Sequence, residues 1–163
     1  MDIESKIDEL LEKPAFLVDI FPCTVPAKPD NRYFAVEKYF QKSREELGRK
    51  FLFILLKLLC YYDLALVSDD DVYENPEPDQ LAALIQACFG PRPAEEAMPG
   101  DHINILLAEK NAMIALDRDD QSMVVYGADD SLKEMIGSLA RAEGLFFYKA
   151  PDFPADPAED DVR

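Results

Sequence analysis

Two residue types in this chain could act together in nucleophilic catalysis, a histidine and a cysteine. His102 is the only histidine, and Cys23 lies in a proline-rich segment apart from the other two cysteines. A thiol becomes a nucleophile when a base or positive charge favours its thiolate, so Cys23 would need a neighbour such as His102. Cys60 and Cys88 lie among apolar helix residues and are expected to be buried and reduced. The sequence indicates no catalytic residue, and we expect His102 to be structural.

Metal and cofactor sites are not expected. Asp117, Asp119 and Asp120 begin like a calcium-binding loop, but Ser122 stands where that loop needs glycine and Ala128 where it needs a bidentate glutamate. One histidine and three scattered cysteines do not form a zinc set. No glycine-rich phosphate loop occurs among the six glycines. Each of these absences weighs against an enzyme.

The charge balance is the strongest global signal. The chain has 33 acidic and 17 basic residues, a net charge of −16. Residues 28–57 are the exception, with eight basic and four acidic residues. Nucleic acid and anionic membranes repel an acidic surface, whereas a basic protein partner is attracted to it. The composition therefore excludes nucleic-acid binding and leaves two explanations for the acidic charge, solubility alone or a basic protein partner.

A dense acidic stretch follows the most apolar segment and is the predicted partner-binding site. Its members all carry a carboxylate and lie on one connection: Asp69, Asp70, Asp71, Glu74, Glu77 and Asp79. If a helix ended just before Asp69, its dipole would disfavour these carboxylates. The sequence offers no compensation for that cost.

The apolar segment itself, residues 45–67, predicts the helix at the centre of the domain. Between Phe51 and Val67 only Lys57 and Asp63 are charged, and a helix over Phe51–Leu66 would be apolar around most of its circumference. The two charges and the short length exclude a membrane span. We therefore expect a buried core helix.

Other elements of the N-terminal half follow from periodicity and turn residues. Residues 1–13 and 81–89 have helical spacing, residues 16–21 form a strand-sized run, and Asp30 can cap a further helix. Ser43 and Glu46 match the capping box that would begin the central helix. Two helices, or one kinked helix, should therefore meet near Lys42.

The C-terminal half predicts a three-stranded meander followed by a helix and a last strand. The strands cover 103–107, 112–116 and 122–126, and their short connections require antiparallel pairing. Ser131 and Glu134 form a second capping box, which begins a helix that buries Leu132, Met135, Ile136, Leu139 and Ala140. Residues 145–148 form the last strand. The domain should span 1–150, with a disordered acidic, proline-rich tail over 151–163.

This order predicts the α+β class, with an N-terminal helical half packed on a small antiparallel sheet of βββαβ type. The N-terminus lacks a basic region followed by an apolar core, so we expect no signal peptide and a cytoplasmic protein.

Three functions remain open at this stage. The first is an interaction module, of the inhibitor or immunity type, that binds a basic protein. The second is a small-ligand-binding protein or enzyme with a pocket between the sheet and the central helix, lined by Cys23, Tyr61, Tyr62 and His102. The third is a homo-oligomeric structural protein held by exposed aromatic residues, namely Tyr33, Phe34, Tyr39 and Phe40.

Overall fold

Residues 2–22, 30–92 and 100–151 are described by a computed structural model. The helices within these ranges are α1 Ile3–Leu11, α2 Asn31–Gln41, α3 Arg44–Leu59, α4 Pro78–Phe89, α5 Asp130–Ala142 and a 3₁₀ turn at Ala108–Lys110. The strands are β1 Ala15–Asp19, β2 Ala65–Ser68, β3 Asp71–Glu74, β4 His102–Leu107, β5 Ala112–Asp117, β6 Ser122–Tyr126 and β7 Phe146–Lys149. Cys23 and residues 152–163 of the predicted tail lie outside the described residues.

The seven strands form one antiparallel sheet in the order β3-β2-β4-β5-β6-β1-β7. The predicted meander is confirmed as β4-β5-β6, and the predicted α+β class is confirmed. The sheet is larger than the C-terminal half alone could build, because three strands come from the N-terminal half. One of them, β1, lies between β6 and β7, so that chain segments more than a hundred residues apart are hydrogen-bonded neighbours.

The predicted central helix is too long at its C-terminal end. Helix α3 ends at Leu59, and residues 65–68 form β2 between β3 and β4. A short apolar run fits a buried strand as well as a buried helix, so periodicity could not separate the two. Asn75 fixes the turn into β2, because its side chain accepts the Leu64 N–H at 2.8 Å and its own N–H donates to the Leu64 carbonyl at 2.8 Å.

One face of the sheet carries the main core. Helices α3, α4 and α5 lie over it, and alternate strand residues such as Leu66, Ile105 and Ile114 point into it. Helix α1 packs on the opposite face, where Leu10 contacts a smaller buried cluster of Val67, Leu106 and Met113. The residues of α3 that build the core are Leu47, Gly48, Phe51, Ile54, Leu55 and Leu58.

Both helices begin close to the predicted residue, but neither predicted serine makes the capping hydrogen bond. Ser43 precedes α3 but its side chain makes no capping hydrogen bond. Asp129, rather than Ser131, caps α5 by accepting the Leu132 N–H at 2.8 Å. Ser131 instead donates its hydroxyl to Asp129 at 2.9 Å. A carboxylate is the stronger acceptor for orphan N–H groups, which explains the displacement of the serine.

The two cysteines within the described residues are one exposed and one buried thiol. Cys60 is exposed after the last turn of α3, which contradicts the prediction that it is buried. Cys88 is buried as predicted, and its thiol lies 3.5 Å from the Asp101 carbonyl oxygen. Burial, together with the nearby negative charges of Asp117 and Asp101, raises the pKa of Cys88 to about 12. Cys88 is therefore a neutral thiol at physiological pH.

We expect Cys88 to resist alkylation in the folded protein. In a C23S/C60S variant, iodoacetamide should modify Cys88 on the order of a hundred times more slowly than in denaturant, because the thiol is both protected and protonated. With the pKa of Cys88 raised to about 12, the rate should keep rising about tenfold per pH unit through pH 9, whereas the rate of an ordinary thiol levels off above its pKa of about 8.5. Mass spectrometry of timed samples measures both quantities. Rapid modification with a rise centred near pH 8.5 would contradict this placement of Cys88.

Candidate functional site

The predicted acidic site lies on a β-hairpin at one edge of the sheet. Strands β2 and β3 are joined by a tight turn at Asp69 and Asp70, with Ser68 paired to Asp71. Asp69 has a φ of 53°, a left-handed conformation that aspartate and asparagine tolerate better than most residues. The acids therefore follow a strand, and the unfavourable helix dipole expected from the sequence does not apply.

The six carboxylates are all exposed, and none of them forms an ion pair with another described residue. Asp69, Asp70 and Asp71 stand on the turn, Glu74 ends β3, and Glu77 and Asp79 lie at the start of α4. Within residues 2–22, 30–92 and 100–151, none of the six makes an ion pair. Residues 69–79 also contain no lysine or arginine. The negative charge of this connection, which we call the acidic hairpin, is thus not neutralised by an ion pair within the described residues.

The acidic hairpin also presents an open strand edge. β3 is the last strand on its side of the sheet and pairs only with β2 within the described residues. Val72, in the middle of β3, is 43% exposed, and exposed backbone groups on such an edge can pair with a strand of another chain. Charged side chains along the edge oppose pairing with an equally acidic copy.

His102 is held at the start of β4 by polar neighbours. Its Nδ1 lies 3.3 Å from Asp117 Oδ2, and its Nε2 lies 3.1 Å from Asn104 Oδ1. Asp117 also accepts the N–H groups of Asp119 and Asp120, at 2.8 and 3.1 Å, in the β5-β6 turn. His102 therefore contacts an aspartate that caps a turn, an arrangement that stabilises the local fold.

The four residues predicted to line a pocket are not gathered in the part of the chain that the structure describes. Tyr61 is 64% exposed, and Tyr62 packs on the core with the Lys110 ammonium 5.7 Å from its ring. Lys110 follows the C-terminal end of β4, whereas His102 is at its N-terminal end, so the strand separates Tyr62 from His102. Cys23 lies outside the described residues. The space between α3 and the sheet is filled by the main core.

A second surface lies near the end of α4 and contains five basic residues. It was not identified from the sequence. A cleft of about 420 Å³ there is lined by Lys38, Gln41, Lys42, Arg44, Glu45, Phe89, Gly90, Pro91, Arg92 and Arg118. The excess of basic residues over 28–57 was the available signal, because it includes the first three of these cations. Arg92 and Arg118 come from distant segments, so only the fold reveals them. We call this the basic cleft.

Metal-binding and membrane-spanning features are both missing from the described residues. They contain no group of three His, Cys, Asp or Glu side chains placed to hold a metal ion. None of their helices combines the length and apolarity that crossing a bilayer requires. Comparisons with protein-family models, curated proteins and solved structures find no match for this chain.

Proposed function

We propose that this protein is an interaction module whose acidic hairpin binds a basic segment of another protein, in the manner of an inhibitor or immunity protein, and that it acts in the cytoplasm. The observation that carries the proposal is the set of six exposed carboxylates that form no ion pair with other described residues. Such a set attracts a basic surface at a distance and speeds its encounter.

The open edge of β3 supports the proposal independently of charge. Charge steers a partner to a surface but holds it weakly, because exposed ion pairs contribute little after solvent screening. A partner strand paired along β3 would add main-chain hydrogen bonds, and Val72 would supply an apolar contact. In this proposal the acidic residues speed the encounter with the partner, and strand pairing along β3 prolongs the lifetime of the complex.

Self-association through α2 is the second candidate function. No side chain of α2 is buried, and its exposed apolar residues are Phe34, Val36, Tyr39 and Phe40. Tyr39, the most open, is 67% exposed. An apolar surface of this kind favours contact with another apolar surface. Sedimentation of the purified protein at two concentrations distinguishes this function from the first, which requires only a monomer.

The acidic hairpin is tested by association kinetics with a basic partner captured by affinity purification. The test variant changes Asp69, Asp70 and Asp71 together to Asn, which suits the left-handed backbone at position 69. We expect association to slow by about tenfold at low ionic strength, because the steering charge is lost. At an ionic strength of about 1 M, where the Debye length is near 3 Å, both proteins should associate equally fast. Stopped-flow mixing measures the rates.

A matched control removes the same charge from the opposite end of the sheet. It changes Glu109 and Glu134 to Gln and Asp130 to Asn, beside the β4-β5 connection and the first turns of α5. This triple variant should associate at nearly the rate of the unchanged protein at low salt. Equal slowing by both variants would show that net charge matters but the acidic hairpin does not. If the hairpin variant associates at the unchanged rate at low salt, the acidic hairpin is not the binding site.

A further inference from the structure

We propose that the groove between α5 and β7 binds an extended acidic segment of another protein, which adds a strand to the free edge of β7 and places one apolar side chain in the groove. This surface lies at the edge of the sheet opposite to the acidic hairpin, so the inference does not depend on the proposed function. It rests on the main-chain groups that β7 leaves unpaired, on the shape of the groove, and on the charges beside it.

The main-chain groups at the free edge follow from the way β7 pairs with β1. Ala150 donates its N–H to the Ala15 carbonyl at 2.9 Å, so the main-chain groups of Ala150 face β1. In an antiparallel ladder these directions alternate from one residue to the next. The N–H and carbonyl groups of Phe147 and Lys149 therefore point away from β1. Because β7 pairs only with β1 within the described residues, these groups can pair with an added strand.

The groove beside this edge has an apolar floor and a gap in its helical wall. Its volume is about 790 Å³, and its α5 wall is formed by three residues spaced by four, Lys133, Gly137 and Arg141. Gly137 contributes no side chain to the wall, and a Cβ added there would lie 3.4 Å from Phe147 Cδ1. Phe147 forms the floor below this gap and stacks on Phe16, with ring centroids 5.6 Å apart. An apolar side chain from a strand beside β7 would enter the gap and contact the Phe147 ring.

Positive charge lies at both ends of the gap. Arg141 lies at one end, in the last turn of α5. At the other end the Lys133 ammonium lies 4.7 Å from the centre of the Phe16 ring, and Phe16 is paired with Lys149 in the sheet. Arg141 and Lys149 are exposed and form no ion pair within the described residues. Carboxylates on a bound segment would complement both ends.

Negative charge near the groove is sparse. Glu134 is the only carboxylate among its described lining residues. Asp130 pairs with Lys133 at 3.5 Å, an exposed pair that solvent screens, and Glu143 pairs with Lys57 at 3.4 Å. The acidic hairpin is six strand spacings away, roughly 29 Å along the sheet, which is about three Debye lengths. An acidic segment is therefore attracted locally, although the chain carries −16.

Helix and strand geometry give the spacing of the recognised residues. Lys133 and Arg141 are eight residues apart, which is about 12 Å along an α-helix. In a strand, residues four positions apart lie on the same face and are about 13 Å apart. The bound segment should therefore carry an acidic residue two positions before its apolar residue and another two positions after it. The same cations oppose pairing of β7 with β7 of a second copy, since like charges would meet across the symmetry axis.

The probe for this site is a synthetic peptide of sequence TDTLTDT, acetylated and amidated so that its termini carry no charge. In a ¹⁵N-labelled sample of the full chain, we expect saturable shifts of the Gly137, Phe147 and Lys149 amide signals. Bound peptide should slow hydrogen exchange of the Phe147 and Lys149 amides by about threefold or more, because they become hydrogen-bonded. The Ala150 amide, which already donates to Ala15, is the internal control and should exchange at an unchanged rate.

Three altered peptides test the separate parts of the site. Replacing the leucine with alanine should weaken binding about tenfold, because less apolar surface is buried in the gap. The peptide TKTLTKT reverses the charge and should give no saturable shifts, because its lysines would meet the cations of the groove. N-methylation of the peptide amides that face β7 should abolish binding, since a methylated amide has no hydrogen to donate.

The cations are tested by charge removal with a matched control. The R141Q/K149Q variant removes one exposed cation from each end of the gap and should weaken TDTLTDT binding about fivefold, the effect of losing two exposed ion pairs. The K38Q/K42Q variant loses the same charge at exposed positions at the end of α2 and should bind as the unchanged protein does.

Four results would overturn the proposal. The first is the absence of saturable shifts up to about 5 mM TDTLTDT, where a complex with a Kd of about 1 mM would be mostly formed. The second is equal binding by the two double variants, and the third is equally tight binding of the N-methylated peptide. The fourth is slow exchange of the Phe147 and Lys149 amides in the protein alone, which would show that the edge is already covered. Protection that rises with protein concentration would identify a second copy as the cover, and constant protection would identify a segment of the same chain. Because none of these measurements involves the acidic hairpin, they leave the proposed function unaffected.

Discussion

Replacing Leu55 with alanine is expected to lower the free energy of unfolding by about 2–5 kcal/mol. Leu55 is 0% exposed in the middle of α3 and packs in the main core between α3 and the sheet. Truncation removes apolar contacts and leaves a cavity that the surrounding helices and strands fill only in part. Urea denaturation followed by circular dichroism measures the effect as a lower midpoint at a similar slope.

Leu59→Ala is the matched comparison for this variant. Leu59 is the last residue of α3 and is only partly buried against the same core. The same truncation should therefore cost less at this position. A midpoint for Leu55→Ala within error of the unchanged protein would show that α3 is misplaced. Equal losses at both positions would show that the burial difference along α3 is wrong.

Gly48→Ala is expected to destabilise the protein by about 1–3 kcal/mol, although alanine is the better helix former. A Cβ at position 48 would lie 2.5 Å from Phe89 Cβ and 2.9 Å from Phe89 Cγ. These atoms are close to the α4 backbone, so Phe89 cannot move aside by rotating only the end of its side chain. Helices α3 and α4 would have to separate, and the edge-to-face contact between Phe51 and Phe89 would be strained.

Gly137→Ala provides the control for this prediction. Gly137 also lies inside a helix, but an added Cβ there would meet Phe147 Cδ1 at 3.4 Å, an ordinary contact distance. The gain in helix propensity, about 0.5–1 kcal/mol, should then be realised in full or in part. The two alanine variants are expected to shift the thermal midpoint in opposite directions. Stabilisation by Gly48→Ala would mean that α3 and α4 are not in close contact at this point.

Periodic segments were determined by the sequence itself. The spacing of apolar residues over 81–89 predicted a helix, and α4 covers Pro78–Phe89, because a helix with one apolar stripe has a single way to bury it. The meander followed from the short connections, which leave adjacent strands no geometry except antiparallel pairing. The acidic character of residues 69–79 was also plain from composition, while its function stays a proposal.

Pairing between distant segments was decided only by the tertiary structure. The run Ala65–Ser68 is apolar enough for either a helix or a strand, and hydrogen bonding to β3 and β4 makes it a strand. The position of β1 between β6 and β7 likewise depends on contacts across more than a hundred residues. Local preference amounts to a few tenths of a kcal/mol per residue, so burial of a whole strand outweighs it.

The two candidate sites show the same division. The acidic hairpin is continuous in sequence, and the structure added its exposed positions and the open edge of β3. The basic cleft is assembled from the α2-α3 junction, the end of α4 and Arg118 at the β5-β6 turn. No periodicity or spacing links these three segments, because their side chains meet only after α3 and α4 have packed on the sheet. The sequence therefore predicted where charge lies along the chain, whereas only the tertiary structure showed which charged residues lie close together in space.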